Sequence, residues 1–183
     1  LVRKIADECF MPFAVGGGIS STDEIRDILS AGAEKVSINT AAVNNPSLIS
    51  QSAQIFGNQS IIVTVDYKRT LFGKTRVYIN SGTRKTKLDP VEWAVEAEGL
   101  GAGEIMMNSI ERDGTMTGYD LDIIRKVTEA VSVPVIACGG AGTLDHIRDV
   151  IHKGGASAAT AGSMFVFHGR RRAVLINFPS KEE

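Results

Sequence analysis

Two glycine-rich stretches are suited to binding anions through backbone N–H groups. In residues 133–142 a short β-branched run, which predicts a buried strand, is followed at once by Gly139 and Gly140. Glycine adopts positive φ freely and has no Cβ, so its N–H group can approach a ligand closely. A helical pattern follows from Thr143 to His152. The N–H groups at a helix N-terminus attract anions, most naturally phosphate.

The same arrangement occurs earlier in the chain. At an offset of 133 − 11 = 122 positions, residues 11–19 align with residues 133–141. The two glycine pairs coincide at this offset: Gly17 and Gly18 with Gly139 and Gly140. Chance could match one glycine pair but hardly the whole register, so we infer two copies of a strand, a phosphate loop and a helix.

Strand and helix patterns alternate along the chain. We predict strands at 13–15, 35–38, 60–65, 104–107, 133–138 and 157–160. We predict helices at the N-terminal end up to Phe10 and at 23–31, 46–56, 90–100, 120–130 and 143–152. A hairpin is expected between 75–80 and 83–87, and a long polar loop between 108 and 118.

Six strand–helix units with short connections predict a parallel sheet covered by helices. One repeat period of 122 residues contains strands that begin near 13, 35, 60 and 104, so two periods make eight units. We therefore predict a (β/α)8 TIM barrel with a two-fold internal repeat. Because a complete barrel needs about 250 residues, we expect residues 1–183 to form a single partial barrel domain that lacks the first two β/α units.

Composition restricts the class of protein. A net charge of −1 gives no basic footprint for nucleic acid, and no apolar run is long enough to span a membrane. Two cysteines make no disulfide framework, and no Cys/His spacing resembles a zinc site. We expect a cytoplasmic protein with neither a metal site nor a cofactor. The sequence shows no secretory leader, although it begins with Leu.

The active site of a TIM barrel lies at the carboxyl ends of its strands. Asp66 ends the third predicted strand and is the best candidate for acid–base chemistry, since apolar walls raise a carboxyl pKa. Each glycine loop is completed by the next strand end, Asn39–Thr40 or Gly162–Ser163. Two anion sites that face each other predict a long ligand with a phosphate at both ends.

Each of these residues also has a structural interpretation. A glycine pair after a strand can be only a tight turn, and Asp66 can cap a helix or pair with Lys68. Asp113 can form an Asx-turn. Lys35, at the start of a strand, would support the lower face of the barrel, and Cys138 suits a core better than a nucleophilic role. The arginines 170–172 can bind an anion or belong to a solvated tail.

Several stretches together resemble the cyclase subunit of imidazole glycerol phosphate synthase, a family of histidine biosynthesis. They are Phe13-Ala-Val-Gly-Gly-Gly-Ile19, Lys35-Val-Ser-Ile-Asn-Thr-Ala-Ala-Val43, Val65-Asp-Tyr-Lys-Arg69, Gly101-Ala-Gly-Glu104, Ser109-Ile-Glu-Arg-Asp-Gly-Thr115 and Cys138-Gly-Gly-Ala-Gly142. The resemblance extends from residue 11 to about 167. The family fold is a two-fold-repeated (β/α)8 barrel. Residues 37–40 and 66–69 favour the cyclase over its isomerase sister, which shares the repeat.

The resemblance implies a lyase that closes an imidazole ring. Its substrate would be a bis-phosphorylated ribonucleotide (PRFAR), and its products imidazole glycerol phosphate and the aminoimidazole carboxamide ribonucleotide AICAR. Ammonia would come from a glutaminase partner, a class I glutamine amidotransferase, docked on the lower face as a heterodimer. Asp66 matches a catalytic aspartate, and Lys35 and Glu104 match the ring that gates ammonia entry. The expected substrate-binding residues are Gly17, Gly18, Asn39, Thr40, Asp113, Gly114, Gly139, Gly140, Gly162 and Ser163.

The sequence also departs from that family. The family's first strand, with a second catalytic aspartate, has no counterpart here, and Glu111 stands where the family has Asp. Residues 164–179 resemble instead a paralogue found with surface-polysaccharide (O-antigen) genes, which is thought to supply ammonia for sugar amidination. Because this tail follows the last phosphate loop, we expect it outside the site. A non-catalytic phosphate-binding scaffold, with Asp66 idle, is a third possible function.

Overall fold

The computed structural model describes residues 1–70, 73–169, 172–176 and 178, apart from the side chain of His168. The strands are Ala14–Gly16 (β1), Lys35–Ile38 (β2), Ile61–Arg69 (β3), Thr75–Ile79 (β4), Arg84–Lys85 (β5), Glu104–Ser109 (β6), Val135–Cys138 (β7), Ala158–Ala159 (β8), Phe167–His168 (β9) and Ala173–Val174 (β10). Six of them form a parallel sheet in the order β1-β2-β3-β6-β7-β8. The strand neighbours follow the chain order, as the alternating pattern predicts.

Helices connect successive strands of this sheet, except that the first helix precedes β1 and the last follows β8. They are Val2–Glu8 (α1), Thr22–Ser30 (α2), Thr40–Asn44 (α3), Ser47–Phe56 (α4), Pro90–Gly99 (α5), Leu121–Ala130 (α6), Leu144–His152 (α7) and Ser163–Val166 (α8). Side-chain caps fix where several of them begin. The Ser21 hydroxyl caps α2, Asp89 caps α5 with Pro90 in the first turn, and Thr143 caps α7.

The two faces of the sheet have different environments because side chains alternate along a strand. Val36, Val63, Ile105 and Ala137 point to the helices and are fully buried there. The other face lines a cavity of about 410 Å³. Residues of all six parallel strands line it: Ala14, Lys35, Ile62, Met106, Ile136 and Ala158. The sheet therefore curls into a half-barrel, consistent with a partial TIM barrel.

The two units that contain the glycine loops have matching helices. Helix α2 begins at residue 22 and ends at 30, and α7 begins at 144 and ends at 152. The differences, 144 − 22 and 152 − 30, both equal 122, which is the sequence offset. The eight-unit barrel and a repeat over its whole length stay predictions.

Strand β3 is longer than predicted. It continues past Val65 to Arg69 because its last four residues pair antiparallel with β4, in a register that joins Asp66 to Tyr78. The turn between β4 and β5 contains Asn80, Ser81 and Gly82, all at positive φ, where the hairpin was predicted. The short helix α3 was not predicted, since Asn39 and Thr40 were interpreted only as a strand end.

One glycine, Gly103, is required by close packing. A Cβ at Gly103 would lie 2.0 Å from the Asn58 carbonyl oxygen, a backbone atom that cannot turn away. At Gly99, the last residue of α5, a Cβ would meet no atom within 4 Å. The two glycines lie four positions apart, and only Gly103 makes such a contact.

We expect Gly103→Ala to lower the free energy of unfolding by about 1–3 kcal/mol, the cost of overpacking. Gly99→Ala should leave it unchanged or raise it by up to about 1 kcal/mol, since alanine is the better helix former. Urea unfolding of both purified variants measures this. Equal stability of the two variants would contradict the packing described here.

Candidate functional site

Strand register brings polar side chains together at the carboxyl edge of the sheet. Asp66 of β3 pairs with Asn108 of β6, which in turn pairs with Cys138 of β7. All three side chains lie on the cavity face of the sheet. Ile62, Met106 and Ile136 lie on the same face, nearer the amino ends of the same three strands. A carboxylate, an amide and a thiol thus stand side by side across three neighbouring strands.

Asp66 is held by the amide side chain of Asn108, whose Nδ2 donates a hydrogen bond of 2.8 Å to Asp66 Oδ1. Burial raises the pKa of the Asp66 carboxyl above its ordinary value, and the negative charge of Asp113 acts in the same direction. The amide side chains of Asn108 and Asn39 oppose this rise in the pKa. Asp66 is therefore a carboxylate in a partly desolvated, hydrogen-bonded setting, which suits acid–base chemistry.

The first glycine loop forms one side of a cavity of about 600 Å³. The cavity is lined by Gly16, Gly17, Gly18, Ile19, Ser20, Ser37, Ile38, Asn39, Thr40, Ala41, Asn44, Thr64, Asp66, Asn80 and Ser81. Gly17 and Gly18 have φ of +105° and +75°, and a Cβ at either position would meet no atom within 4 Å. Side chains there would project into open space, so the glycines leave the loop backbone accessible. The predicted residues Gly17, Gly18, Asn39, Thr40 and Asp66 are thus brought together.

The β4–β5 hairpin closes this first pocket. The backbone N–H of Asn80 donates a 2.9 Å hydrogen bond to Thr40 Oγ1. The Arg84 guanidinium donates a 2.8 Å hydrogen bond to Asn44 Oδ1. The hairpin therefore fixes the strand end that completes the glycine loop.

The second glycine loop lines a smaller pocket of about 40 Å³. It is lined by Asp113, Gly114, Cys138, Gly139, Gly140, Ala141, Thr160, Gly162 and Ser163. A Cβ at Gly140 would lie 2.2 Å from the Gly118 carbonyl oxygen, and the Gly118 N–H donates to the Gly140 oxygen at 2.8 Å. The polar loop that follows β6 packs tightly over the second glycine pair, whereas the first pair is open. The predicted residues of this site are also brought together.

The helix N-termini do not contribute as predicted. Glu24 Oε2 accepts hydrogen bonds from the N–H groups of Ser20 and Ser21, at 2.7 and 3.2 Å. In α7 the Thr143 hydroxyl accepts from the His146 N–H. In α2 the Glu24 carboxylate thus occupies the N–H groups just before the helix, and in α7 the Thr143 cap satisfies an N–H group of the first turn. The pockets are consequently lined by the glycine loops rather than by the first turns of α2 and α7.

Lys35 and Glu104 form an ion pair at the opposite edge of the sheet. Lys35 is the first residue of β2 and Glu104 the first of β6, so the pair spans the amino end of β3. Both side chains line the 410 Å³ cavity, whose other lining residues are largely apolar. The cavity lies on the same sheet face as Asp66, with the ion pair at its lower end.

Asn108 was not predicted as a site residue because the strand was predicted to end at Met107. The alternation of Glu104, Met106 and Asn108 along β6 could have placed its side chain on the Asp66 face. Cys138 lines the second pocket rather than the core. Burial raises the pKa of the Cys138 thiol, which keeps it neutral.

None of the described residues of the C-terminal tail lines either pocket, but one of them contacts a residue of the second pocket. Arg172 Nη2 donates a 2.9 Å hydrogen bond to the carbonyl oxygen of Gly114, a residue of the second pocket. This contact joins positions 58 residues apart, which no local pattern could indicate. Arg170 and Arg171 lie outside the described residues. Glu111 accepts a hydrogen bond from the Arg69 N–H and lines neither pocket.

Among the described residues, no group of three or more His, Cys, Asp or Glu side chains could hold a metal ion. None of the described helices is long and apolar enough to cross a membrane.

Comparisons with known proteins agree with this geometry. Over 179 residues the chain is 46% identical to a protein of Pseudomonas aeruginosa named "Putative imidazole glycerol phosphate synthase subunit hisF2". The match covers 98% of this chain and 71% of that relative. Residues 1–171 match the family described as "Histidine biosynthesis protein". The chain therefore belongs to the histidine biosynthesis protein family.

Proposed function

We propose that this chain is the cyclase subunit of an imidazole glycerol phosphate synthase. In this proposal it uses ammonia to convert the bis-phosphorylated PRFAR into imidazole glycerol phosphate and AICAR. The observation that carries the proposal is the position of Asp66 at the carboxyl edge, between two pockets that glycine loops line. The family and the named relative support the same activity.

Two glycine-lined pockets suit a ligand with an anionic group at each end. Backbone N–H groups and the hydroxyls of Thr40 and Ser163 can donate to phosphate oxygens without a metal. A substrate held at both ends would place its middle against Asp66. Such positioning is a main source of rate enhancement, since it removes the entropic cost of bringing reacting groups together.

The groups around Asp66 suit a nitrogen-containing substrate. Asn39 Oδ1 and Asn108 Oδ1 are buried and accept no hydrogen bond from the described residues. Because the Asn108 amide directs its donor to the carboxylate and both acceptors lack a partner, these oxygens are available to ligand N–H groups or to ammonia. Asp66 can then accept a proton during ammonia addition and return it during ring closure.

We further propose that ammonia enters from the Lys35–Glu104 edge, delivered by a glutaminase partner. The cavity above the ion pair is lined by Ile62, Met106 and Ile136, which lie on the same sheet face as Asp66. Its mainly apolar wall favours neutral ammonia over the ammonium ion, which carries a large desolvation cost. The charged pair at the entrance would be the part that opens or closes it.

A second candidate function is ammonia-dependent amidination of a sugar in surface-polysaccharide biosynthesis. The observation that favours it is the contact between Arg172 and Gly114 of the second pocket. Arg172 belongs to the C-terminal tail, whose sequence departs from that of the cyclase family. A different side chain at one anion site would suit a different anionic substrate. The two candidates share Asp66 and the ammonia path and differ in the ligand.

The activity test is turnover of PRFAR by the purified intact protein that contains residues 1–183, with an ammonium salt, measured as release of AICAR. The cyclase proposal predicts turnover, and Lys35→Met should spare it while impairing the glutamine-dependent reaction with the glutaminase. If PRFAR binds but is not turned over, while a cyclase of the histidine pathway assayed in parallel is active, the sugar-amidination candidate replaces the cyclase.

Asp66→Asn tests the catalytic role. The substitution preserves shape and can still accept the Asn108 hydrogen bond, but it cannot act as a base. We expect kcat to fall by about 10²–10⁴-fold, the usual contribution of a positioned acid–base group. A kcat within a few-fold of the wild-type value would show that Asp66 is only structural.

The same variant should be more stable than the wild-type protein at neutral pH. The pKa of Asp66 is raised in the folded state, so the stability linked to this group is full at pH below its unfolded-state pKa and is lost as pH rises through its folded-state pKa. Asp66→Asn removes this loss. Its Tm should exceed the wild-type Tm at pH 7, and the difference should shrink on acidification. A lower Tm at pH 7 would contradict the desolvation described for Asp66.

A further inference from the structure

The C-terminal segment folds back onto the second pocket. Helix α8 leads into β9, which pairs antiparallel with β10, and the Leu175 N–H donates to the Val166 oxygen at 2.9 Å. Arg172 lies in the turn of this hairpin at φ of +48°, with its N–H bonded to the Gly169 oxygen at 3.0 Å. The hairpin thus fixes the position of the Arg172 backbone.

Two contacts orient the Arg172 guanidinium. Its Nη2 donates to the Gly114 carbonyl oxygen at 2.9 Å, and its Cζ lies 4.7 Å from the centre of the Phe167 ring. A Cβ built on Gly114 would lie 3.8 Å from Ser163 Oγ and 4.0 Å from Arg172 Nη2. The guanidinium is therefore adjacent to the Gly114 and Ser163 side of the second pocket.

The charge of the Arg172 guanidinium matters for the second pocket. The residues that line the second pocket include the carboxylate of Asp113 and no cation. An anion in that pocket would meet a negative charge, which backbone N–H groups offset only in part. A guanidinium at the rim supplies the missing positive charge. Its planar fork of five N–H donors suits the oxygens of a phosphate, and the Phe167 ring restricts its orientation.

We propose that Arg172 is a substrate-recognition residue that binds the anionic, phosphate-type group of the ligand in the second pocket. This inference deepens the proposed function, because it names the side chain that selects one end of the substrate. It assigns the tail a part in the site and makes Arg172 a specificity determinant. A purely structural latch between the tail and Gly114 is the competing interpretation, and it predicts no effect on anion binding.

The experiment is a calorimetric titration of the purified protein with inorganic phosphate, carried out at low and at high salt. Arg172→Met removes the charge but keeps the apolar stem. The matched control is Arg125→Met, since the Arg125 guanidinium also donates to a backbone carbonyl, that of Lys153, at 2.8 and 3.0 Å. The first pocket is an internal control for folding, because it shares no lining residue with the second pocket.

We expect two phosphate sites in the wild-type protein and in Arg125→Met. In Arg172→Met one site should weaken by about tenfold or more, the effect of losing a charged hydrogen bond, while the other site is unchanged. Arg172→Lys should recover only part of the affinity for phosphate, since an ammonium group cannot form the paired, bidentate hydrogen bonds of a guanidinium. High salt should reduce the difference between wild type and Arg172→Met.

Unchanged phosphate affinity at both sites in Arg172→Met would overturn the proposal, whether or not its Tm falls. Absence of phosphate binding by the wild-type protein would overturn it as well. The assay is independent of catalysis. A protein that shows the expected phosphate titration but no turnover of PRFAR would retain the Arg172 inference and lose the cyclase proposal.

Discussion

The pairing of β3 with β6 is the constraint on which the site depends. The register runs from Ile62 opposite Glu104 to Tyr67 opposite Ser109, and it places Asp66 opposite Asn108. A slip of one residue would exchange the two faces of β3, moving Asp66 beneath the helices and Tyr67 into the cavity. Burying an unpaired carboxylate under the helices would cost far more free energy than the shifted β3–β6 pairing contributes. The hydrophobic pattern that fixes the fold therefore also fixes the geometry of the candidate site.

The structure separates stability from chemistry by sheet face. The helix-covered face holds the large buried side chains, among them Trp93, Tyr67 and Ile105. The cavity face carries the groups that folding does not favour: a carboxyl with a raised pKa and two amide acceptors without partners among the described residues. A site made of such groups lowers stability locally, and the continuous core beneath the helices offsets that cost.

Patterns in the sequence predicted most of the fold, but they could not predict contacts between distant residues. Alternating strands and hydroxyl caps are local signals, and the 122-residue offset is a repeat visible in the sequence. Together they predicted the parallel strands and the helices α2 and α7 closely. The extension of β3 to Arg69 depends on β4, and the Arg172–Gly114 contact joins the tail to a distant loop. Asn108 was missed because a boundary error of two residues assigned it to a loop.

The central claim is that two anion sites lie on either side of Asp66, one at each glycine loop. A crystal structure of the protein with a bis-phosphorylated substrate analogue tests it most directly. The account predicts one phosphate against Gly17–Gly18 and Thr40, the other against Gly139–Gly140 and Ser163, and the middle of the ligand beside Asp66. A ligand that occupies only one loop, or that lies away from Asp66, would contradict it.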